Sequence, residues 1–82
     1  MEQKLRRDRN MGENLKLLRQ KAGLSQEKLC AKLQLCSYDV GRSTYSKYEN
    51  GELNIPISLI VLLRKMYQCK YDDFFNGLDI DL

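Results

Sequence analysis

Two helical segments separated by only two residues set the frame for this chain. They lie in "NMGENLKLLRQKAGLSQEKLCAKLQL". In the first, Met11, Leu15, Leu18 and Ala22 recur three and four residues apart, the spacing of one helix face. Asn10 fits an N-cap with Glu13 three residues into the helix, a capping-box arrangement, so the helix is expected to start near Asn10. Gly23 is the expected stop, one position past the helix end. Ser25 caps the second segment, "SQEKLCAKLQL", and Glu27 sits in the first turn, where the helix dipole favours an acid. Leu29, Cys30 and Leu33 form its inner face. With only Gly23 and Leu24 between them, the two helices must pack as near neighbours.

The remaining chain adds three more helical stretches. After the irregular "QLCSYDVG", a short helix is expected from Arg42 to Asn50, stopped by Gly51. "ELNIP" leads into a fourth helix with Pro56 at or near its first position. Ile57, Ile60, Val61, Leu63 and Tyr67 are expected to line its buried side. "QCK" breaks the pattern, and "YDDFF" reads as a short fifth helix whose Phe74 and Phe75 close the core. The tail "NGLDIDL" alternates Leu78, Ile80 and Leu82 with acids, a pattern that fits either a strand in a dimer or a frayed terminus. The expected architecture is thus all-α, a compact five-helix domain over residues 10–76, with a basic N-terminal arm at 1–9 and a tail at 77–82. No apolar run approaches the roughly 18 residues a membrane span needs, and "MEQKLRRDRN" has no apolar stretch of the secretory kind. A cytoplasmic location is the expectation.

Charge is distributed unevenly. Residues 1–50 hold eleven Lys/Arg against six Asp/Glu, a net of +5, and residues 51–82 hold three against five, a net of −2. Such asymmetry fits a basic face for an anionic partner, nucleic acid first, and equally a solvated surface with uneven charge. The three cysteines, Cys30, Cys36 and Cys69, have no C-x-x-C spacing, and the sequence contains no His. Neither a zinc site nor a disulfide framework is expected. Cys30 and Cys69 read as small core residues, and Cys36 as a loop thiol, reactive or incidental. With no His, no Gly-rich phosphate loop and no acid pair in an apolar setting, no enzymatic activity and no cofactor are expected.

The segment "DVGRSTYSKYENG" carries the functional signal. On a helix, Tyr45 and Tyr48 fall three apart on one face, beside Val40 as the chain enters. Arg42, Ser43, Ser46, Lys47 and Asn50 fall on the other. Every side chain of that second set can donate a hydrogen bond and none is acidic. Such a helix suits the DNA major groove: Arg42 can pair bidentately with guanine, and Ser43, Ser46 and Lys47 can donate to base edges or phosphates. Taken alone, the same helix also fits an ordinary solvated surface.

The order of "GENLKLLRQKAGLSQEKLCAKL", then "RSTYSKYENG", then a Pro-led apolar helix resembles the Cro and phage-repressor type of helix-turn-helix proteins, the Xre family, from about Asn10 to Phe75. The resemblance implies a lambda-repressor-like fold and double-stranded DNA as partner. It further implies that Gln26 touches phosphate and props the recognition helix. Arg42, Ser43, Ser46 and Lys47 match positions that reach base edges, with Thr44 beside them and turned more toward the backbone. Asn50 matches a position that meets phosphate just past the recognition helix. Arg19 and Glu49 match a structural ion pair, which is physically sensible because Glu49 is the only acid in its helix and would repel DNA if it faced outward. Two features depart from the family pattern. The link between helices 2 and 3, "QLCSYDV", is about five residues longer than usual and ends at Gly41 rather than a Ser or Thr cap. Tyr38 in that link either covers the core or reaches the DNA backbone. The basic arm, with Lys4, Arg6, Arg7 and Arg9, either follows DNA or is a solvated tail.

The implied function is sequence-specific DNA binding by a transcriptional regulator, repressing by operator occupancy as a homodimer whose surface is the fifth helix and tail. Two rivals remain. One is the antitoxin half of a toxin–antitoxin pair, with the fifth helix or tail on a protein partner. The other is a protein-interaction module that kept the fold and lost DNA binding.

Overall fold

The computed structural model describes residues 3–78, and the side chains from Met11 to Leu78. Among the described residues the chain forms four α-helices and one 3-10 turn, with no strand: α1 Gln3–Lys21, α2 Gln26–Leu35, α3 Arg42–Glu49, α4 Ile57–Tyr67, and a 3-10 turn Tyr71–Phe74. The fifth helix of the sequence reading is thus a single 3-10 turn, and the tail beyond Leu78 lies outside the described residues.

The corner between α1 and α2 forms as its sequence dictates. Gly23 adopts φ 76°, the left-handed region. Its N–H bonds to the Gln20 carbonyl at 2.9 Å, and the Leu24 N–H reaches back to Arg19 at 3.2 Å, the two hydrogen bonds of a Schellman stop. One residue later the Ser25 hydroxyl accepts from the Lys28 N–H at 3.1 Å and starts α2. The start of α1 differs from expectation. The helix runs back to Gln3, so Asn10 lies inside it and does not cap it. An N-cap needs a non-helical backbone at the capping residue, and the preceding Gln, Lys, Leu and Arg are strong helix formers with no breaker among them. The helix propagates through. The side chains of the basic arm lie outside the described residues.

α2 ends at Leu35, the last residue of its expected stretch, so the link to α3 is residues 36–41 and starts later than the expected "QLCSYDV". Ser37 takes the left-handed stop position with φ 65°, and the Tyr38 N–H bonds to the Leu33 carbonyl at 2.9 Å. Tyr38 packs against the core, and its hydroxyl shares a hydrogen bond with the Ser58 hydroxyl at 3.3 Å. The core-covering reading of Tyr38 is therefore the one the fold adopts.

The core gathers Leu15, Leu29, Leu33, Tyr45, Leu59, Ile60, Leu63 and Phe74, with Cys30, Val40, Tyr48, Tyr67 and Cys69 packed around it. α3 sits against both α1 and α2, and the 3-10 turn closes on α1. Three expected core residues are not there: Val61 is only half-buried and does not pack on the core, and the other two are Ile57 and Phe75. Ile57 is 78% exposed, while Leu59 is fully buried. On α4 the inward set is Leu59, Ile60 and Leu63, and at 100° per residue Ile57 falls well outside that arc. Phe75 is half-exposed because the 3-10 turn ends at Phe74 and aims only that ring inward. The Asn14 amide fixes this closure by donating to the carbonyls of Phe74 and Asn76, at 3.0 and 2.8 Å.

Candidate nucleic-acid interface

α3 presents three kinds of surface. Tyr45 and Glu49, one turn apart, point into the protein and are buried. Tyr48 is half-buried beside them, its ring edge-on to Tyr45 with centroids 6.2 Å apart. Arg42, Ser43, Thr44, Lys47 and Asn50 are exposed. Ser46, which the sequence reading grouped with the outward set, is half-buried on a flank. Arg42, the first residue of α3, is exposed, and its charge reaches the Cys30 thiol of α2. Burial pushes that thiol pKa up and the Arg42 guanidinium offsets part of the rise. Asn50 is the C-cap residue of α3, and its amide donates to Glu52 at 3.3 Å.

Gly41 precedes α3 as its N-cap and offers no side-chain acceptor. The first-turn N–H groups of α3 are therefore left without a side-chain cap, and the positive end of the helix stays open toward solvent or an anion. Lys47 and the open N-terminus give the exposed face one sign of charge, because the single acid of the helix is elsewhere.

That acid is Glu49, and its surroundings explain the inward turn. Arg19 of α1 grips the carboxylate from two nitrogens, Nε to Oε2 at 2.7 Å and Nη2 to Oε1 at 3.1 Å. Gln26, the first residue of α2, donates to Oε1 at 3.0 Å. Arg19 Nη1 donates to the Leu24 carbonyl at 2.8 Å, so the same guanidinium also braces the corner between α1 and α2. The Arg19 and Glu49 side chains are only 9% and 3% exposed. Burial alone would raise the Glu49 pKa, but hydrogen bonds from Arg19 and Gln26 and the Arg19 charge outweigh it and hold the carboxyl below its ordinary value. The Glu49 hydrogen bond in turn raises the Arg19 pKa. The Tyr45 and Tyr67 hydroxyls are buried and have no hydrogen-bond partner among the described residues. Burial, together with the neighbouring carboxylate, pushes both phenols well above their ordinary range.

One contact was not singled out from the sequence. Gly12 of α1 is buried against the C-terminal end of α3. A Cβ there would lie 2.7 Å from the Glu49 carbonyl carbon and 3.0 Å from the Tyr48 carbonyl oxygen. Backbone meets backbone at that point, which only glycine permits. A glycine within an otherwise strong helical pattern was the available signal.

Helices α2 and α3, joined across a link and braced from behind by α1, make a helix-turn-helix unit with α3 as its exposed member. Among the described residues no helix is long and apolar enough to cross a membrane. A family model described as helix-turn-helix matches residues 15–74, most of the chain. The protein belongs to this family, the Xre, Cro and lambda-repressor type of DNA-binding regulators. No curated protein and no solved structure matches it significantly.

Proposed function

We propose that this protein is a sequence-specific repressor that occupies a double-stranded operator as a symmetric homodimer in the cytoplasm. The observation that carries this reading is the division of α3. Arg42, Ser43, Thr44, Lys47 and Asn50 are exposed, while Glu49 is buried and paired. A helix of that polarity meets the major groove without a repulsive acid. In it Arg42 supplies a planar fork for guanine, and Ser43 and Lys47 donate to bases or phosphates. Ser46 reaches a base edge only from the flank of the helix. Thr44 and Asn50 border the sugar–phosphate backbone. Gln26 keeps one amide hydrogen on Glu49 and has its second, with its backbone N–H, free for phosphate.

One recognition helix covers only about 4–5 bp, too few for useful specificity, so two copies on one face of the duplex are required. The half-exposed Phe75 and the exposed Tyr71 on the 3-10 turn support a docking surface there for the second copy. The basic arm adds phosphate contacts as the N-terminal extension of α1.

Retention on heparin followed by a gel shift on random duplex tests the reading. Binding of both, weakening steeply with salt, is the expected result. Failure of both at low salt would favour an interaction module that has lost DNA.

A further inference from the structure

We propose that Asp39 is a specificity-determining residue, its carboxylate accepting a hydrogen bond from the exocyclic amine of a cytosine in the major groove. The proposal rests on α3 being the groove-reading helix.

Asp39 lies in the 36–41 link, two residues before the N-cap of α3. The link is anchored on both sides of it. Before it, the N–H groups of Cys36, Ser37 and Tyr38 bond back to α2 carbonyls, and the Tyr38 hydroxyl bonds to Ser58. After it, Val40 packs against the core. Asp39 stands exposed between these anchors. With Thr44 and Tyr48 it lines a shallow concavity along one flank of α3. At its Gly41 and Thr44 end that concavity borders the N-terminal half of the helix, the half that approaches base edges in this motif.

Charge makes the placement consequential. Asp39 is the only acid between Lys32 and Glu49. Glu49 is neutralised by Arg19, whereas Asp39 makes no ion pair and its side chain no hydrogen bond among the described residues. A free carboxylate fixed beside a phosphate-facing helix opposes binding, unless it meets a donor on the DNA. In the major groove the donor that carboxylates accept from is cytosine N4. Link and helix together then read adjacent base positions.

The test selects bound sequences from a random duplex pool with the wild-type protein, Asp39→Ala and Asp39→Asn, alongside the melting temperature of each. The wild type is expected to select cytosine at one symmetric pair of positions. Asp39→Ala should lose that preference by about fivefold or more, the scale of a good base contact, and keep the positions read by Arg42. Asp39→Asn, which keeps the shape and an acceptor but adds a donor, should shift the same pair toward adenine. Both variants should melt like the wild type. Tighter binding of Asp39→Ala to every sequence, with all preferences intact, would show an acid that only repels phosphate and would overturn the proposal. So would a selected site identical to that of the wild type, or a lowered melt with unchanged preferences, the mark of an acid that only steadies the positive end of α3. A wild-type protein that enriches no sequence would overturn the DNA-binding reading itself, and this proposal with it.

Discussion

Replacing Glu49 with Gln isolates the electrostatic join between α1, α2 and α3. The substitution preserves shape and deletes one charge. It leaves Arg19 cationic in a site where its side chain is 9% exposed, facing an amide that also points a donor toward Gln26 or Arg19 itself. Removing one partner of a buried pair costs about 3–5 kcal/mol, against under about 1 kcal/mol for an exposed one. For a domain of this size each 1 kcal/mol moves Tm by roughly 4–8 °C, so even the lower figure implies a drop of about 12–24 °C. Thermal unfolding followed by circular dichroism at pH 7 measures this directly. The pH dependence supplies a second reading. Because the folded Glu49 pKa lies below its ordinary value of 4.5, the stability from its ionised form is fully present above about that pH. It is lost as pH falls through the depressed folded value, where the native state takes up the proton too. The gap in Tm between wild type and Glu49→Gln should therefore be widest near neutrality and close under acid conditions. A Glu49→Gln protein that melts with the wild type at pH 7 and binds DNA more tightly would refute the argument, because Glu49 would then be behaving as a surface acid repelling phosphate.

Gly12→Ala should destabilise by about 1–3 kcal/mol in the same melts despite the better helix propensity of alanine, because its Cβ meets α3 backbone that cannot rotate away. Tyr45→Ala should cost about 3–5 kcal/mol as an aromatic core deletion, whereas Tyr45→Phe, which removes a buried hydroxyl without a hydrogen-bond partner, should be neutral or stabilising in urea titration. Ser37→Gly should raise stability by up to about 1 kcal/mol, since Ser37 holds a left-handed backbone that glycine adopts freely. Arg42→Ala should relax one symmetric pair of base preferences at a cost of about 1–3 kcal/mol, while Lys47→Ala should weaken all duplexes evenly and flatten the salt slope by about one per protomer. Gel shifts across salt and base variants separate the two, and equal losses on every sequence for Arg42→Ala would show that Arg42 serves phosphate only.

Local rules made much of this fold legible. The Gly23 stop, the Ser25 cap and the Gly51 stop each depend on a backbone conformation or a hydrogen bond spanning a few residues, so residue type at one position decides them. The inward set Leu29, Leu33 and Tyr45 follows from helical period alone. Sequence could also suggest why Glu49 must be withdrawn from an otherwise cationic helix face. What it left open depends on distance across the fold. Asn10 has the chemistry of a cap, yet helix propagation through its neighbours wins, and no local pattern weighs those two. Ile57 and Leu59 are equally apolar, and only the rotation of α4 against the rest of the core decides which is buried. Phe75 repeats Phe74 in type, but a 3-10 turn can aim just one ring at the core. Gly12 looks like a weak point in α1 until α3 is seen to press its carbonyls against it. Ser46 is polar like its exposed neighbours, and it is the packing of α3 against the core that half-buries it. Side-chain chemistry and short-range geometry are written residue by residue, whereas the phase of one helix against another is fixed by all the packed side chains at once, and that was settled only when the helices met.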